Sequence, residues 1–475
     1  MPRLIAVSNR VQIESQGEQR DRSALAVALA AALRESNGFW FGWSGSEIET
    51  FTGQITFRRM DGVATAAIDL EPQDAREYCD GFASRTLWPL FHYRPDLTEI
   101  TRDFAGGYAR VNWRFAETLA PLIEPDDLVW VHDYHLIPLG RHLREQGFGN
   151  RIGFFLHIPW PPASLLLSLP EHRELALAML AYDVIGFQAD EWRAAFLDYA
   201  VNHLGATLDG EHVVLGEWRT RAMVCPIGLD ADDFSGAVHS LIARQAETRL
   251  AVSAQGRSLV VGVDRLDPSK GLEERFAGLE RLLADRPEWR DKVFMLQIAP
   301  PAREDAPSYR RIRDALDASS GRINGTFATL DWVPLHYVNQ LFSRDELFGI
   351  YRAARVGLVT PLRDGMNLVA KEYVAAQNPA DPGVLVLSCF AGAAAQLTEA
   401  LIVNPHSPED IAEALARALT MPLAERQERH RAMMAGITAQ DVRWWSNRFL
   451  DALGDNSEQT AGPCLIASGS PSGAS

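Results

Sequence analysis

Thr360-Pro361-Leu362-Arg363-Asp364-Gly365-Met366-Asn367-Leu368-Val369-Ala370-Lys371-Glu372 joins two apolar patterns of different period. An apolar, strand-like run at 356–359 precedes it, and a helical pattern at 368–377 follows. A loop bearing Asp364, Gly365 and Asn367 therefore opens onto a helix start. Unpaired backbone N–H groups and the positive end of the helix dipole meet there, which suits an anion. Glu372 lies about one turn further in, within reach of hydroxyls on whatever carries that anion. The plainer alternative is an ordinary strand-to-helix turn with Asn367 as N-cap.

A second stretch repeats the arrangement. Leu259-Val260-Val261-Gly262-Val263 is a continuous apolar run and predicts a buried strand. Asp264-Arg265-Leu266-Asp267-Pro268-Ser269-Lys270-Gly271 forms a loop, and 272–285 an amphipathic helix. Arg265 and Lys270 thus flank another helix start. Two fixed cations beside such a dipole can hold a diphosphate without metal. Surface Arg and Lys are usually only solvated, so it is the pair of segments together that reads as a nucleotide-diphosphate site.

The rest of the chain alternates in the same style. Strands are predicted at 4–7, 128–132, 153–156 and 184–187, then at 259–263, 293–298, 356–359 and 384–387. Helices are predicted at 24–35, 108–122, 137–146 and 189–204, then at 272–284, 308–319, 344–353, 370–377 and 408–418. Alternation of this kind predicts parallel sheets covered on both faces. At 475 residues two domains are the default. They divide as 1–230 and 231–454, and the Gly/Ser/Ala/Pro-rich 455–475 reads as a disordered tail.

Composition bounds the partners. A net charge of −16 argues against nucleic acid or an anionic membrane, which need a basic face. The four cysteines, Cys79, Cys225, Cys389 and Cys464, are scattered and make no CxxC, which points away from a disulfide framework or a zinc site. No apolar signal core or bilayer-length run occurs, so a soluble cytoplasmic protein is expected.

Ligands of open α/β sheets bind at the carboxyl ends of strands. Loops in that position carry Asn9-Arg10, Asp133-Tyr134-His135, His157-Ile158-Pro159, Arg265, Lys270, Arg303, Asp364 and Glu372. Each has a bland reading: His157 as a satisfied structural histidine, Asp133 as a helix cap, Trp40, Trp43 and Trp88 as core. The setting Trp40-Phe41-Gly42-Trp43-Ser44-Gly45 is unusually polar for a core.

At these residues the chain resembles the trehalose-6-phosphate synthases. The resemblance is carried by Ser8-Asn9-Arg10, the 40–45 stretch, Leu87-Trp88-Pro89-Leu90-Phe91-His92-Tyr93 and His132-Asp133-Tyr134-His135-Leu136. Phe155-Leu156-His157-Ile158-Pro159, 264–271, Gln297-Ile298-Ala299-Pro300 and 360–372 continue it. It runs in order from about residue 3 to 453 and looks closest to the bacterial form, without the phosphatase-like extension of some relatives. It implies a GT-B fold of two Rossmann-like domains facing a cleft. It also implies transfer of glucose from UDP-glucose to glucose 6-phosphate with retention, giving α,α-trehalose 6-phosphate, with no cofactor and no metal. A homo-oligomer, dimer or tetramer, is compatible with it.

Carried over residue by residue, Arg10, Tyr78, Trp88, Asp133, Tyr134 and Arg303 match the acceptor side, where forked guanidiniums suit a phosphate. His157 and Asp364-Gly365-Met366-Asn367 match contacts to the transferred glucose, and Arg265 with Lys270 the diphosphate clamp. Phe342, Leu368 and Glu372 match the nucleoside side. Asp230-Ala231-Asp232 has the form of a metal-binding DxD but falls in the interdomain loop and reads as a helix cap. Other readings stay open: another nucleotide sugar, another phosphorylated acceptor such as glycerol 3-phosphate, or a sugar-phosphate sensor without turnover. A pyridoxal-phosphate phosphorylase shares the architecture, but no cofactor-lysine context supports it.

One departure stands out. Relatives usually carry Gly-Gly at the start of the first helix, close to the donor phosphates; here Ser23-Ala24 replaces it. A Cβ restricts φ and close backbone approach. Activity is expected to persist with an altered 11–24 loop. Restoring glycine at both positions should lower the KM for the nucleotide sugar and leave that for the acceptor nearly unchanged. No gain with UDP-glucose would make the departure neutral.

Overall fold

The computed structural model describes residues 2–11, 24–60, 62–230, 234, 236–301 and 307–455. Two sheets organise them. The first is ten-stranded, in the order β3-β4-β2-β1-β5-β6-β7-β10-β9-β8. Its strands are β1 Leu4–Arg10, β2 Phe39–Glu47, β3 Thr56–Met60, β4 Val63–Leu70, β5 Leu128–His132, β6 Arg151–Leu156, β7 Val184–Phe187, β8 Thr207–Asp209, β9 His212–Leu215 and β10 Trp218–Val224. Its centre is parallel, and the antiparallel pairs β3–β4, β8–β9 and β9–β10 form its edges.

The second sheet is six-stranded and parallel throughout, in the order β13-β12-β11-β14-β15-β16. Its strands are β11 Ser258–Val263, β12 Val293–Ile298, β13 Leu335–Val338, β14 Val356–Val359, β15 Val384–Ser388 and β16 Leu401–Val403. β14 and β15 are buried at every position, as expected of strands covered by helices on both faces. In both sheets the strand order doubles back beside the first strand, which opens a crevice at the carboxyl ends there. The loop after β6 meets the loop after β14 across that crevice, and Trp88 meets the loop after β11. This is the two-Rossmann GT-B arrangement.

Several elements were not legible beforehand. The segment 72–91 forms short helical pieces around a wide-turn stretch, Ala75–Leu87, that places Trp88 at the cleft. β2 and β4 extend the first sheet although their sequences are Gly-, Ser- and Ala-rich. Trp40 and Trp43 lie buried in β2, so the core reading holds for both.

The last helix, Val442–Gly454, follows the Asp441 cap, whose carboxylate accepts from the Trp444 N–H at 2.7 Å. It does not stay with the second sheet. Its Trp445 and Phe449 rings lie 4.8 and 4.6 Å from the Trp130 ring of β5. Phe449 occupies a slot over Gly153 and Gly186, where an added Cβ would stand 2.7 and 3.0 Å from its ring. We propose that this helix belongs with the first structural unit, although it follows 231–441 in the chain.

Candidate active site

The site is built from two strand-to-helix turns locked together. After β11, Asp267 accepts from the N–H and hydroxyl of Ser269 at 2.9 and 2.7 Å, shaping a short 3₁₀ turn, Pro268–Lys270. Gly271, at φ +63°, ends that turn and starts the helix Leu272–Asp285 with no side-chain cap. The donors of that helix's first turn are thus left to other partners. After β14, Asn367 stands at φ +71° and caps the helix Leu368–Ala376, accepting from the Ala370 N–H at 3.2 Å. The capping alternative is thus correct, and Asn367 does more: its amide also donates to Asp364 at 3.1 Å.

Arg275 binds the two turns from below. It is fully buried and donates to Thr360 at 3.2 Å, Gln297 at 2.9 Å, Asp264 at 2.9 Å and the Lys270 carbonyl at 3.4 Å. Sequence reasoning missed it, yet a signal existed. Arg275 falls between Leu272 and Leu279 on the apolar stripe of its helix, where a charge needs a partner.

Above Arg275 the charges alternate. Lys270 Nζ lies 2.5 Å from Asp364 Oδ2. Burial alone raises the Asp364 carboxyl, but Lys270 and Asn367 outweigh it and hold it below its ordinary value. Lys270 mirrors this: burial lowers it, and Asp364, Asp264 and Asp267 together raise it. For Asp267, burial is overcome by Lys270 and Arg265, which hold it at about 2. Arg265 is exposed at the mouth, 5.8 Å from the Trp88 ring centre. An ammonium has three donors, of which Asp364 takes one.

The opposite wall comes from the first sheet. The Trp88 indole N–H points at Asp267, 3.5 Å away. Asp133, at φ +73°, accepts from the His157 N–H at 3.2 Å, and burial pushes its carboxyl up to about 7. Burial also lowers His157 to about 3, so the ring is neutral. Gly365 sits so close to this wall that an added Cβ would stand 2.0 Å from the His157 carbonyl oxygen and 2.8 Å from Ile158 Cα. Its own carbonyl faces the Trp192 indole N–H at 3.4 Å. Arg363 crosses the gap as well, pairing with Glu191 at 2.7 Å and lying 4.0 Å from the Tyr93 ring centre. Arg363 and Tyr93 lie in the quoted motifs, but their meeting with each other, and that of Arg363 with Glu191 and Trp192, joins distant segments, which no local pattern encodes.

The remaining residues fall as follows. Arg10 is exposed at the end of β1, 4.5 Å from the Trp43 ring centre. Tyr78 is buried, not on the cleft surface, and its hydroxyl donates to Asn9 at 2.9 Å, one residue before Arg10. Tyr134 is buried with its ring 5.8 Å from Trp88. Phe342 and Leu368 are half-buried, Met366 is buried, and Glu372 is half-buried one turn into its helix. Ser23 and Arg303 lie outside the described residues, as do Ala231, Asp232 and nearly all of the 455–475 tail. Ala24 begins the first described helix, Ala24–Glu35. Among the described residues no cluster of three or more His, Cys, Asp and Glu side chains is placed to hold a metal, and no helix is long and apolar enough to cross a membrane.

Two Rossmann-like sheets with two helix starts, fixed cations and buried carboxylates at their shared cleft define a GT-B glycosyltransferase. The chain belongs to glycosyltransferase family 20, whose family model it matches over residues 2–455. It is 46% identical to the trehalose-6-phosphate synthase of Sinorhizobium fredii (strain NBRC 101917 / NGR234) over 462 residues, covering 97% of this chain and 100% of that one. Among solved structures it is similar to an alpha,alpha-trehalose-phosphate synthase (UDP-forming) from Burkholderia vietnamiensis, with a TM-score of 0.91 and 48% identity over 95% of this chain and 98% of that one. An enzyme of the same description from Burkholderia xenovorans, solved in complex with glucose-6-phosphate, has a TM-score of 0.90 and 47% identity over 95% of this chain and 100% of that one.

Proposed function

We propose that the protein transfers glucose from UDP-glucose to glucose 6-phosphate with retention, forming α,α-trehalose 6-phosphate. The observation that carries this is near-complete coverage of trehalose-phosphate synthases at this identity, one of them holding glucose-6-phosphate. The cleft has the matching chemistry. Arg265, Lys270 and the uncapped helix start at Gly271 take the donor diphosphate, and Glu372 takes the ribose. The turn at His157, whose ring is held within the protein, and Asp364–Asn367 take the transferred glucose. Arg10 and Arg303 take the 6-phosphate, beside Asp133, Tyr134 and Trp88.

In the step itself the bond from the glucose anomeric carbon to the diphosphate breaks, and UDP departs with the electron pair. The acceptor hydroxyl oxygen bonds to that carbon from the same face. Its proton passes to the departing phosphate oxygen. The state between is oxocarbenium-like, and the main electrostatic task is to stabilise negative charge growing on the leaving group. Lys270 suits this because the fold already holds it charged in a dry position. Its partner Asp364 keeps it there before substrate arrives.

The direct test is a panel of UDP-, GDP- and ADP-glucose against glucose 6-phosphate and glycerol 3-phosphate, in excess chelator, with product detection. Trehalose 6-phosphate from the UDP-glucose and glucose 6-phosphate pair is expected. A different preferred pair would move the protein to another activity on the same site, and no turnover with any pair would make it a sensor. Within the same assay Arg303→Ala should raise the KM for glucose 6-phosphate far more than that for the nucleotide sugar, because the lost contact is to the acceptor phosphate. Equal effects on the two would contradict that placement.

A further inference from the structure

Gln188 follows β7 and is buried. The Ile227 N–H donates to its Oε1 at 2.8 Å. A backbone N–H only donates, so this contact fixes which end of the amide is oxygen. The amide nitrogen then faces His157 Nδ1 at 3.3 Å. An NH₂ group also only donates, so Nδ1 of His157 must carry the lone pair and its Nε2 the proton. That Nε2 lies 3.2 Å from Nδ1 of the buried His132. His132 in turn accepts there and keeps its own proton on Nε2, which has no hydrogen-bond partner among the described residues. The other side of Ile227 is also used. Its carbonyl accepts from the side-chain Nζ of buried Lys371 at 2.6 Å, on the helix that carries Glu372.

We propose that Gln188 is a positioning residue for glucosyl transfer: it fixes His157 as the Nε2–H tautomer and ties that ring, through Ile227, to the donor-side helix at Lys371. Lys371–Ile227–Gln188–His157 is one continuous set of hydrogen bonds from one half of the molecule to the other, and none of its links is an ion pair. The kinetic consequence rests on the function proposed above; the tautomer does not.

The test is ¹⁵N NMR of the histidine-labelled full chain, with His157 assigned by the resonances missing in His157→Gln. In the wild type His157 is expected with Nδ1 unprotonated and Nε2 protonated. Gln188→Glu keeps the size and still accepts from Ile227, but its second oxygen also accepts, so the proton should move to Nδ1. Turnover should then fall on the order of 10-fold or more, short of the ~10⁴-fold seen where a wrong tautomer disables a proton-shuttling imidazole. The KM for glucose 6-phosphate should change little. Gln188→Leu, which fills the space without donating, should give mixed tautomers and reduced turnover. A wild-type His157 protonated on Nδ1 overturns the proposal. So does a Gln188→Glu variant whose tautomer shifts while its turnover stays at the wild-type level. Absence of any glucosyl transfer by the wild type would sink the proposed function instead, with the His157 spectrum still testing the tautomer.

Discussion

Arg265→Ala is expected to lower turnover ~100-fold or more, on the scale of single-donor losses in other charge-stabilising sites. The exposed Arg265 shares the task of offsetting buried Asp267 with Lys270, which this variant keeps, so its melting temperature should move little. Lys270→Ala should lose at least as much activity but behave differently in stability. It leaves the half-buried Asp364 without the cation 2.5 Å away. An uncompensated carboxylate of this kind is costly, so this variant should melt lower. Adding Asp364→Asn removes the orphaned charge. The double variant should therefore regain melting temperature and regain no turnover. If it regains turnover as well, the loss in Lys270→Ala was structural, and the diphosphate role belongs elsewhere. Near-normal kcat in a folded Arg265→Ala/Lys270→Ala protein would contradict the clamp altogether.

Gly365→Ala is expected to cost about 100-fold in kcat, because a displacement of about 1 Å at reacting groups is enough for that. The added methyl would meet backbone, the His157 carbonyl oxygen at 2.0 Å and Ile158 Cα at 2.8 Å, and backbone at the end of β6 cannot swing aside as a long side chain does. The two loops must part. Each remains held within its own half, the 360–372 turn by Arg275 and His157 by Asp133, so the melting temperature should fall little. A full-activity Gly365→Ala variant would mean the two walls need not touch during the reaction. Loss of fold together with activity would mean the contact serves stability.

The two strand-to-helix turns were legible because their chemistry is local. An apolar run, a loop of Asp, Gly and Asn, and a helix start occupy a dozen consecutive residues, and Lys270, Asp364 and Asn367 meet as that pattern implies. What escaped was long-range. Nothing near Gln188 announces that Ile227 and His157 will approach it, and nothing near Arg363 announces Glu191 or Tyr93. β2 and β4 escaped because Gly42, Ser44, Gly45 and Ser46 interrupt the aromatics of β2, and Ala64, Ala66 and Ala67 dilute the β-branched residues of β4. The last helix escaped for a related reason. Its Trp445 and Phe449 have an apolar face at helical spacing, but only Gly153 and Gly186, far away in sequence, explain where that face goes.

That last helix has a consequence for synthesis. The first sheet is complete in sequence at residue 224, yet the side chains that cover Trp130 and Phe155 are at 445 and 449. At roughly 5–20 residues per second, the ribosome needs on the order of 10–50 s between the two. For that interval the nascent first unit carries an open aromatic face. A chain cut short before residue 445 keeps that face open permanently. Chains ending near 440 should therefore aggregate once released from the ribosome, whereas chains released after residue 455 should stay in solution; equal recovery of the two in the supernatant would contradict this.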